Sequence, residues 1–399
     1  GHTGRRDQDA DRRGPLAAET ADLVVIGGGI IGCATALFAE RAGLKTIVLE
    51  KRPALATLTT PVATGAFRLQ FDNAEEVDLV RESVAFFDGL HERAGLGLRH
   101  QGYLFAALTD DGARRQQELV EAQRSWGLMD VELLDSAEAR SRFPYLSPQV
   151  QNARYRAGDG WLEPRRLALE IARESGAHFR CGVGVTGFDT RGSRVVGVQT
   201  TAGSISAGTV LIAAGPLSGP LARLAGLDLP LSTVRRQKLI VPDLPFIPAD
   251  APMTIEFETG AHWRPAGTGV HALYTAPAAP TPPVEDVPIS ADFAFGLLDP
   301  SSDHALARLV PAWKQAWLSA RLEWWLQAGQ YTYTPDRRPL LGPTSIEGLA
   351  VNTGYSGHGI MGSVGGSRRA VDAITGKLTR ERNPFRPDRE MAVRTFDVL

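Results

Sequence analysis

Hydrophobic and polar positions along this chain keep two periods, and the switches between them mark its elements. Leu23 to Ile26 is a short β-branched-rich run, as a strand buried on both faces requires. Ile30, Ile31, Ala34, Leu37 and Phe38 then recur at helical spacing, and Gly43 is placed to end that helix. Thr46 to Leu49 reads as a second strand. From Ala74 to Ala94, Val77, Val80, Val84, Phe87 and Leu90 share one helical face, and Gly95 and Gly97 stop the pattern. Gly102 to Leu108 reads as a strand, and Gly112 to Trp126 as a polar, exposed helix. Asp135 and Glu138 have the spacing of a capping box, opening a short helix that ends at Phe143-Pro144. Pro164 suits the first turn of a helix whose buried stripe is Leu167, Ile171 and Ala172. Strand-like stretches follow at His178 to Cys181, Val195 to Thr200, Ser204 to Ser206 and Thr209 to Gly215. Leu231 to Glu258 and Val270 to Thr275 read as strands of a second unit, with His262-Trp-Arg-Pro265 between them. The Pro- and Ala-rich run 276–288 reads as an exposed loop, and Ala305 to Gln327 as a helix carrying four of the tryptophans as packing residues. Leu349 to Asn352 is a last strand, running into a glycine-rich loop that opens a helix through Ser367 to Ile374.

Composition narrows the class. With 399 residues and 43% hydrophobic side chains, the chain can bury a large core and is expected to divide into two domains. A net charge of −2 gives no reason to expect nucleic-acid or acidic-membrane binding. Two cysteines, Cys33 and Cys181, make no disulfide framework, which fits a reducing, cytoplasmic setting. No run approaches a membrane span. Residues 1–20 are polar and charged, have no apolar core of a secretory signal, and are expected to be loosely held. Arginine outnumbers lysine and alanine is plentiful, which suggests a GC-rich bacterial source.

The chemistry starts at the first strand. Gly27, Gly29 and Gly32 supply G-x-G-x-x-G between a strand and a helix. The first allows a tight turn, the second lets a pyrophosphate approach the backbone, and the third brings helix and strand close. Glu50 closes the second strand about twenty residues on, where a carboxylate can accept from ribose hydroxyls. The arrangement predicts dinucleotide binding, with Ile30, Ile31 and Lys51 beside it. The segment after it, 51–71, is long and irregular, and such segments inside compact domains are usually functional. Its one charge between Arg52 and Asp72 is Arg68, set among Phe67, Leu69 and Phe71. An arginine in that company is either a buried ion-pair partner or an anion receptor.

TPDRRPLLG at Thr334–Gly342, followed by NTGYSGHGIM at Asn352–Met361, is the second strong signal. With the glycine turn, these motifs resemble the D-amino-acid oxidase superfamily of FAD-dependent amine oxidoreductases. The resemblance runs from Ala21 to about Lys377 and is strongest to sarcosine oxidases and dimethylglycine-dehydrogenase-like proteins. It implies an α/β (α+β) fold: a Rossmann-type FAD-binding domain from segments 21–90, 151–229 and 335–390, and a substrate domain from 91–150 and 230–334 with a mainly antiparallel sheet. It also implies that Gly27, Gly29, Gly32 and Glu50 contact the AMP and pyrophosphate. Val185 would meet the adenine, and Ala214 and Gly215 form the second phosphate-side turn. Thr64, Gly65, Ala66 and Phe67 would line the flavin ring, and Gly357, His358, Gly359, Ile360 and Met361, with Arg338 nearby, hold its pyrimidine end. Arg68 would pair with a substrate carboxylate.

The chain departs from that pattern in places. Met361 stands where sarcosine oxidases carry a second carboxylate-binding lysine. Gly329 stands at about the place of their flavin-linking cysteine, and no tethering histidine lies between Thr57 and Arg68. FAD held without a covalent bond is therefore expected, and no metal ligand set is picked out. His271 occupies the place of the oxygen-activating lysine, where an imidazolium could stabilise superoxide and a sheet histidine is the plain alternative. His262, His271 and Tyr274 are the candidates for shaping amine protonation or the oxygen step. The expected reaction is oxidation of a C–N bond in an amine or N-substituted amino acid, by hydride transfer to flavin N5, giving an imine. Oxygen or an electron-carrier protein takes the electrons. The alternatives are a 2-hydroxy acid oxidase or dehydrogenase, and a flavin-bound assembly protein without catalysis.

Overall fold

The computed structural model describes residues 19–275 and 277–394. Its centre is an eight-stranded sheet whose spine runs Leu340–Pro343, Leu349–Thr353, Gly203–Ile212, Glu19–Ile26, Thr46–Glu50 and His178–Cys181. The last five of these are mutually parallel. Leu23, Val24 and Val25 are fully buried, as expected of a central parallel strand covered on both faces. Helices Ile30–Arg41, Ala74–Ala94 and Gly359–Ile374 cover one face. The hairpin strands Val185–Arg191 and Arg194–Thr200 lead off the other. A buried polar network ties distant parts of this layer together. Asn352 Nδ2 donates to Thr35 Oγ1 and Ser367 Oγ, both at 3.0 Å, and its Oδ1 accepts from the Tyr355 hydroxyl at 2.6 Å.

A second eight-stranded sheet runs Trp325–Tyr333, Ser232–Val241, Gly269–Leu273, His262–Ala266, Met253–Glu256, Tyr103–Ala107, Asn152–Arg156 and Glu132–Asp135. All its pairings are antiparallel except that of Met253–Glu256 with Tyr103–Ala107. The mixed α/β architecture is the one the motifs imply. No helix among the described residues is long and apolar enough to cross a membrane.

Several elements fall where the pattern places them, and their ends have local causes. Helix Ala74–Ala94 is capped by Asn73, whose side chain accepts from the Glu76 N–H, and stops at Gly95 with φ +66°. Helix Ser136–Arg142 carries the expected capping box: Asp135 accepts from the Glu138 N–H at 2.8 Å, and Glu138 accepts from the Asp135 N–H at 3.0 Å. Asp135→Ala removes one half of that exchange. We expect a loss of about 1 kcal/mol, read as a lower urea midpoint at unchanged slope.

Other elements differ. The stretch 305–327 is broken into turns at Leu306–Arg308 and Pro311–Trp313, the short helix Lys314–Leu318 and the start of an edge strand at Trp325. Pro311 has no N–H to donate and its ring obstructs the preceding turn, so a long helix cannot pass through it. Of its tryptophans, Trp313 is fully buried, whereas Trp317 and Trp325 are more than 40% exposed. Helix Asp110–Ser125 is polar but not simply exposed: Gln116 and Gln123 are buried and donate to the carbonyls of Phe105 and Phe71 at 2.6 and 2.8 Å. The last helix begins at Gly359 rather than Ser367, because its glycines are contact points. A Cβ on Gly365 would sit 2.1 Å from the Leu79 carbonyl oxygen. Asn152–Arg156 pairs in the second sheet, although residue 151 onward reads in sequence as part of the other unit. The first strand takes in Glu19 and Thr20, and the rest of the expected loose tail lies outside the described residues.

Candidate active site

One cavity of about 500 Å³ is lined from both large sheets and the segment 56–68. Its first wall is the glycine turn. Gly27 has φ +112°, and a Cβ there would lie 2.4 Å from the Ala213 carbonyl oxygen, so the turn and the strand end Ala213–Gly215 require each other. Gly29 differs: an added Cβ would meet only Thr60 Oγ1, at 3.5 Å, and would otherwise enter the cavity. Helix Ile30–Arg41 opens here with no side-chain cap and no acidic residue in its first turn, leaving its positive end toward the cavity. Glu50 is pinned at the wall, its oxygens accepting from the Gly28 and Arg52 N–H groups, both at 2.8 Å. Lys51 also lines the cavity and is ion-paired with Glu285. Val185, Ala214 and Gly215 complete this wall, and Thr64, Gly65 and Ala66 continue it.

A second wall is the loop 354–358. Ser356 has φ +50° and Gly357 φ +91°, and a Cβ on Gly357 would lie 2.7 Å from the Tyr331 ring. Helix Gly359–Ile374 again starts with no side-chain cap and no acid in its first turn. Ile360 and Met361 line the cavity from that turn. Beside it, Arg68 is 2% exposed, and its Nη1 donates to the Gln70 carbonyl at 2.9 Å. Its Nη2 lies 3.4 Å from His358 Nε2, and its guanidinium stacks 4.4 Å from the Phe71 ring centroid. Burial pulls its pKa below the ordinary arginine value, against the fields of Tyr103, Asp159, Glu76 and Asp72.

The floor comes from the second sheet. Ile255, His262 and Leu273 are cross-strand neighbours, and all three line the cavity with Tyr103. His262 Nδ1 lies 2.7 Å from the Gly260 carbonyl, so Nδ1 carries the proton and Nε2 the lone pair. Burial pushes its pKa down to about 4, so it is neutral at physiological pH.

Five expected site residues do not line this cavity. Gly32 serves packing: a Cβ there would fall 1.8 Å from the Gly27 carbonyl oxygen. Phe67 alternates with Ala66 and Arg68 along an extended segment, so it turns the other way, against Phe87 and His100. Arg338 lies behind the site, 3.8 Å from Glu75. His271 faces Arg264 and Ile240 across the sheet. Burial, then Arg264 and Lys238, push its pKa down to about 2, so it carries no positive charge to offer oxygen. Tyr274 stacks between Phe293 and His304, at 4.7 and 4.4 Å, and lines a separate cavity under residues 277–288.

Tyr103, Tyr331 and Tyr333 line the main cavity but were not among the expected site residues. Gln330 and Thr332 line it too, so the whole run Gln330–Tyr333 borders the cavity and no alternation singles out the tyrosines. Thr60, also unexpected, accepts from the Ile30 N–H at 3.1 Å. Lys238 is a buried lysine 3.3 Å from the Ala63 carbonyl, its pKa lowered by burial to about 8.

Two helix starts with no acid in their first turns face one cavity, one of them beside a glycine turn and a pinned acid, and suit a molecule with a pyrophosphate in its middle and an electron-rich ring at its end. The model of the family described as FAD dependent oxidoreductase matches residues 22–373. This chain belongs to that family. FAD is thus the cofactor of this FAD-dependent oxidoreductase, and a cavity lined by an open glycine turn, a pinned acid and a second helix start has the features it needs. The chain is 28% identical over 416 residues to FAD-dependent oxidoreductase domain-containing protein 1 of Xenopus laevis, covering 90% of this chain and 80% of that protein. It is 25% identical to the mitochondrial dimethylglycine dehydrogenase of Mus musculus, covering 90% of this chain but 43% of that longer protein. Among solved structures, L-proline dehydrogenase from P. horikoshii superposes with a TM-score of 0.82 at 24% identity, over 93% of this chain and 97% of that one.

Proposed function

We propose that this oxidoreductase removes two electrons from the C–N bond of a small amine or N-substituted amino acid bearing a carboxylate, releasing an imine that water hydrolyses. The observation that carries this reading is Arg68, a buried guanidinium at the cavity wall beside the turn 357–361. FAD, when bound in this cavity, would supply the two-electron sink for the C–H bond next to nitrogen. Arg68 receives the substrate carboxylate and fixes which carbon faces the flavin. Met361 adds apolar surface and no second charge. His262, neutral with a lone pair on Nε2, lines the same cavity and would accept a hydrogen bond from the N–H of a neutral secondary amine. Tyr103, Tyr331 and Tyr333 shape the space above the sheet. The names dimethylglycine dehydrogenase and L-proline dehydrogenase, carried by similar proteins, refer to amino acids of the proposed type.

The cofactor is proposed to be held without a covalent bond. Gly329 offers no side chain, and Thr57 to Arg68 contains neither cysteine nor histidine. The proposed acceptor is oxygen or an electron-carrier protein, and the neutral His271 gives oxygen no cation at that position.

The test is anaerobic mixing of the yellow holoenzyme with separate panels of amines, amino acids and 2-hydroxy acids, followed by air. We expect a carboxylate-bearing secondary or tertiary amine to bleach the flavin. Bleaching by hydroxy acids alone would replace this reading with C–O oxidation. Failure of every compound would leave a flavin-bound protein without amine chemistry. Recovery of colour on admitting air separates an oxidase from a dehydrogenase.

A further inference from the structure

His358 stands between two buried charges. Its Nε2 is 3.4 Å from Arg68 Nη2, and its Nδ1 is 3.9 Å from Glu76 Oε1. An arginine nitrogen can only donate, so Nε2 must be the lone-pair nitrogen, and the ring proton sits on Nδ1 facing Glu76. Glu76 is 4% exposed, in the first turn of helix Ala74–Ala94, outside the cavity wall. Its Oε2 accepts from Asn73 Nδ2 at 2.6 Å, and its own N–H donates to Asn73 Oδ1 at 2.9 Å. The carboxylate is therefore held in one place and linked to the anion-binding arginine by a single ring.

We propose that the Glu76–His358 pair takes up one proton when a substrate carboxylate arrives at Arg68, so that Glu76 acts as a positioning residue for anion binding. This rests on Arg68 being the carboxylate anchor. In the empty site, Arg68 lies in the fields of Asp159, Glu76 and Asp72, and Glu76 is the carboxylate that faces it through His358. A second carboxylate brought to the same guanidinium, away from water, repels the first. The cluster lowers that repulsion by adding a proton from solvent to the pair. With that proton on Nε2, the ring changes from acceptor of Arg68 into a second donor to the incoming carboxylate. The Glu76 carboxylate, 3.9 Å from Nδ1, then acts on the ring through its charge rather than through a hydrogen bond. The two sites titrate as one coupled unit.

Other charges also face Arg68: Arg154, its pKa lowered by burial to about 9, shares its Gln70 carbonyl, and burial raises the pKa of Asp159. Asp72 is paired with Arg394, Glu75 lies 3.8 Å from Arg338, and Asp159 lies 2.6 Å from Arg156. Burial raises the Glu76 carboxyl to about 7, with Asn73, Arg338 and Arg68 opposing and Asp72 adding. Tyr103, pushed up by burial, stays protonated. A bound carboxylate raises the pair's affinity for protons further. Anion affinity is thus fully present below pH 7 and falls as pH rises above it, by up to about tenfold per pH unit, until the bound form also loses its proton.

The experiment titrates holoenzyme with propionate, which has no amine to confuse the proton count, and reads the flavin spectrum from about pH 6 to about pH 9. Calorimetry at about pH 8 in two buffers of different ionisation heat counts protons directly. Wild type is expected to weaken with rising pH and to take up close to one proton. Glu76→Gln, which can still accept from Asn73, is expected to bind with no pH dependence and more tightly than wild type at the alkaline end. Equal loss of affinity at every pH in Glu76→Gln, or no proton uptake in wild type, would overturn the proposal; the wild-type count stands even if the variant does not fold. Arg68→Met separates the two readings. Unchanged propionate binding in that variant, or no response in wild type, removes the anchor itself. Lost binding in Arg68→Met with pH-independent binding in wild type removes only the proton linkage.

Discussion

Replacing Arg68 by methionine is expected to lower kcat/KM for a carboxylate-bearing amine by about 10³-fold, while FAD stays bound. Removing the cationic partner of a desolvated carboxylate costs about 2–5 kcal/mol, or roughly 30- to 4,000-fold. Arg68 lies at the buried end of that range. The fold should tolerate the change. Methionine keeps contact with the Phe71 ring that the guanidinium now covers at 4.4 Å, since thioethers pack well on aromatics. The Gln70 carbonyl keeps Arg154 Nη1 at 3.5 Å as a donor. Lysine at the same position is expected to rescue only in part, being a point charge without the fork that matches a carboxylate. The control is an amine of similar size lacking the carboxylate, whose turnover should change little. Equal losses for both amines would mean that Arg68 supports the site's shape rather than binding the acid.

The second large effect separates two glycines three positions apart. Gly29→Val should give a soluble, folded protein that is colourless, with FAD affinity lowered at least about 100-fold, or about 2.7 kcal/mol. Its backbone, φ −77° and ψ −175°, suits any residue, and only Thr60 Oγ1 lies near the added carbon. The valine methyls would fill space needed for a phosphate to approach the start of helix Ile30–Arg41. Gly32→Val should fail earlier. Its Cβ would overlap the Gly27 carbonyl oxygen, forcing the helix off the strand it packs against. Thermal melts together with flavin content decide the matter. A yellow Gly29→Val protein, or a Gly32→Val protein that melts like wild type, would contradict the division of roles.

Both predictions depend on which way a residue points, and that is where sequence reading succeeded least. The glycine turn, the helix Ala74–Ala94 and the capping box at Asp135 were legible because their causes are local: a period, a cap, a glycine with positive φ. Arg68 and the turn 357–361 were legible from motif resemblance and do meet at one cavity. His271 was placed in the right strand, Phe67 in an irregular segment and Tyr274 in a strand that ends one residue before it, and none of the three lines the cavity. A strand alternates faces every residue, and only its partners decide which face looks at the site. Tyr331 and Tyr333 were missed because their strand takes its register from Ser232–Val241. Glu132–Asp135 and Asn152–Arg156 form strands through pairing with each other and with Tyr103–Ala107, which no short window reveals.

The hydrogen-bonded knot at Asn352 has a consequence for how the protein is made. Thr35 and its partner Asn352 lie 317 positions apart, and the strand bearing Asn352 completes the parallel sheet begun by Glu19–Ile26. Loop closure over that span is slow, and the early strands wait with apolar edges uncovered. The cofactor site therefore cannot be complete on the nascent chain until Asn352 to Ser367 have left the ribosome.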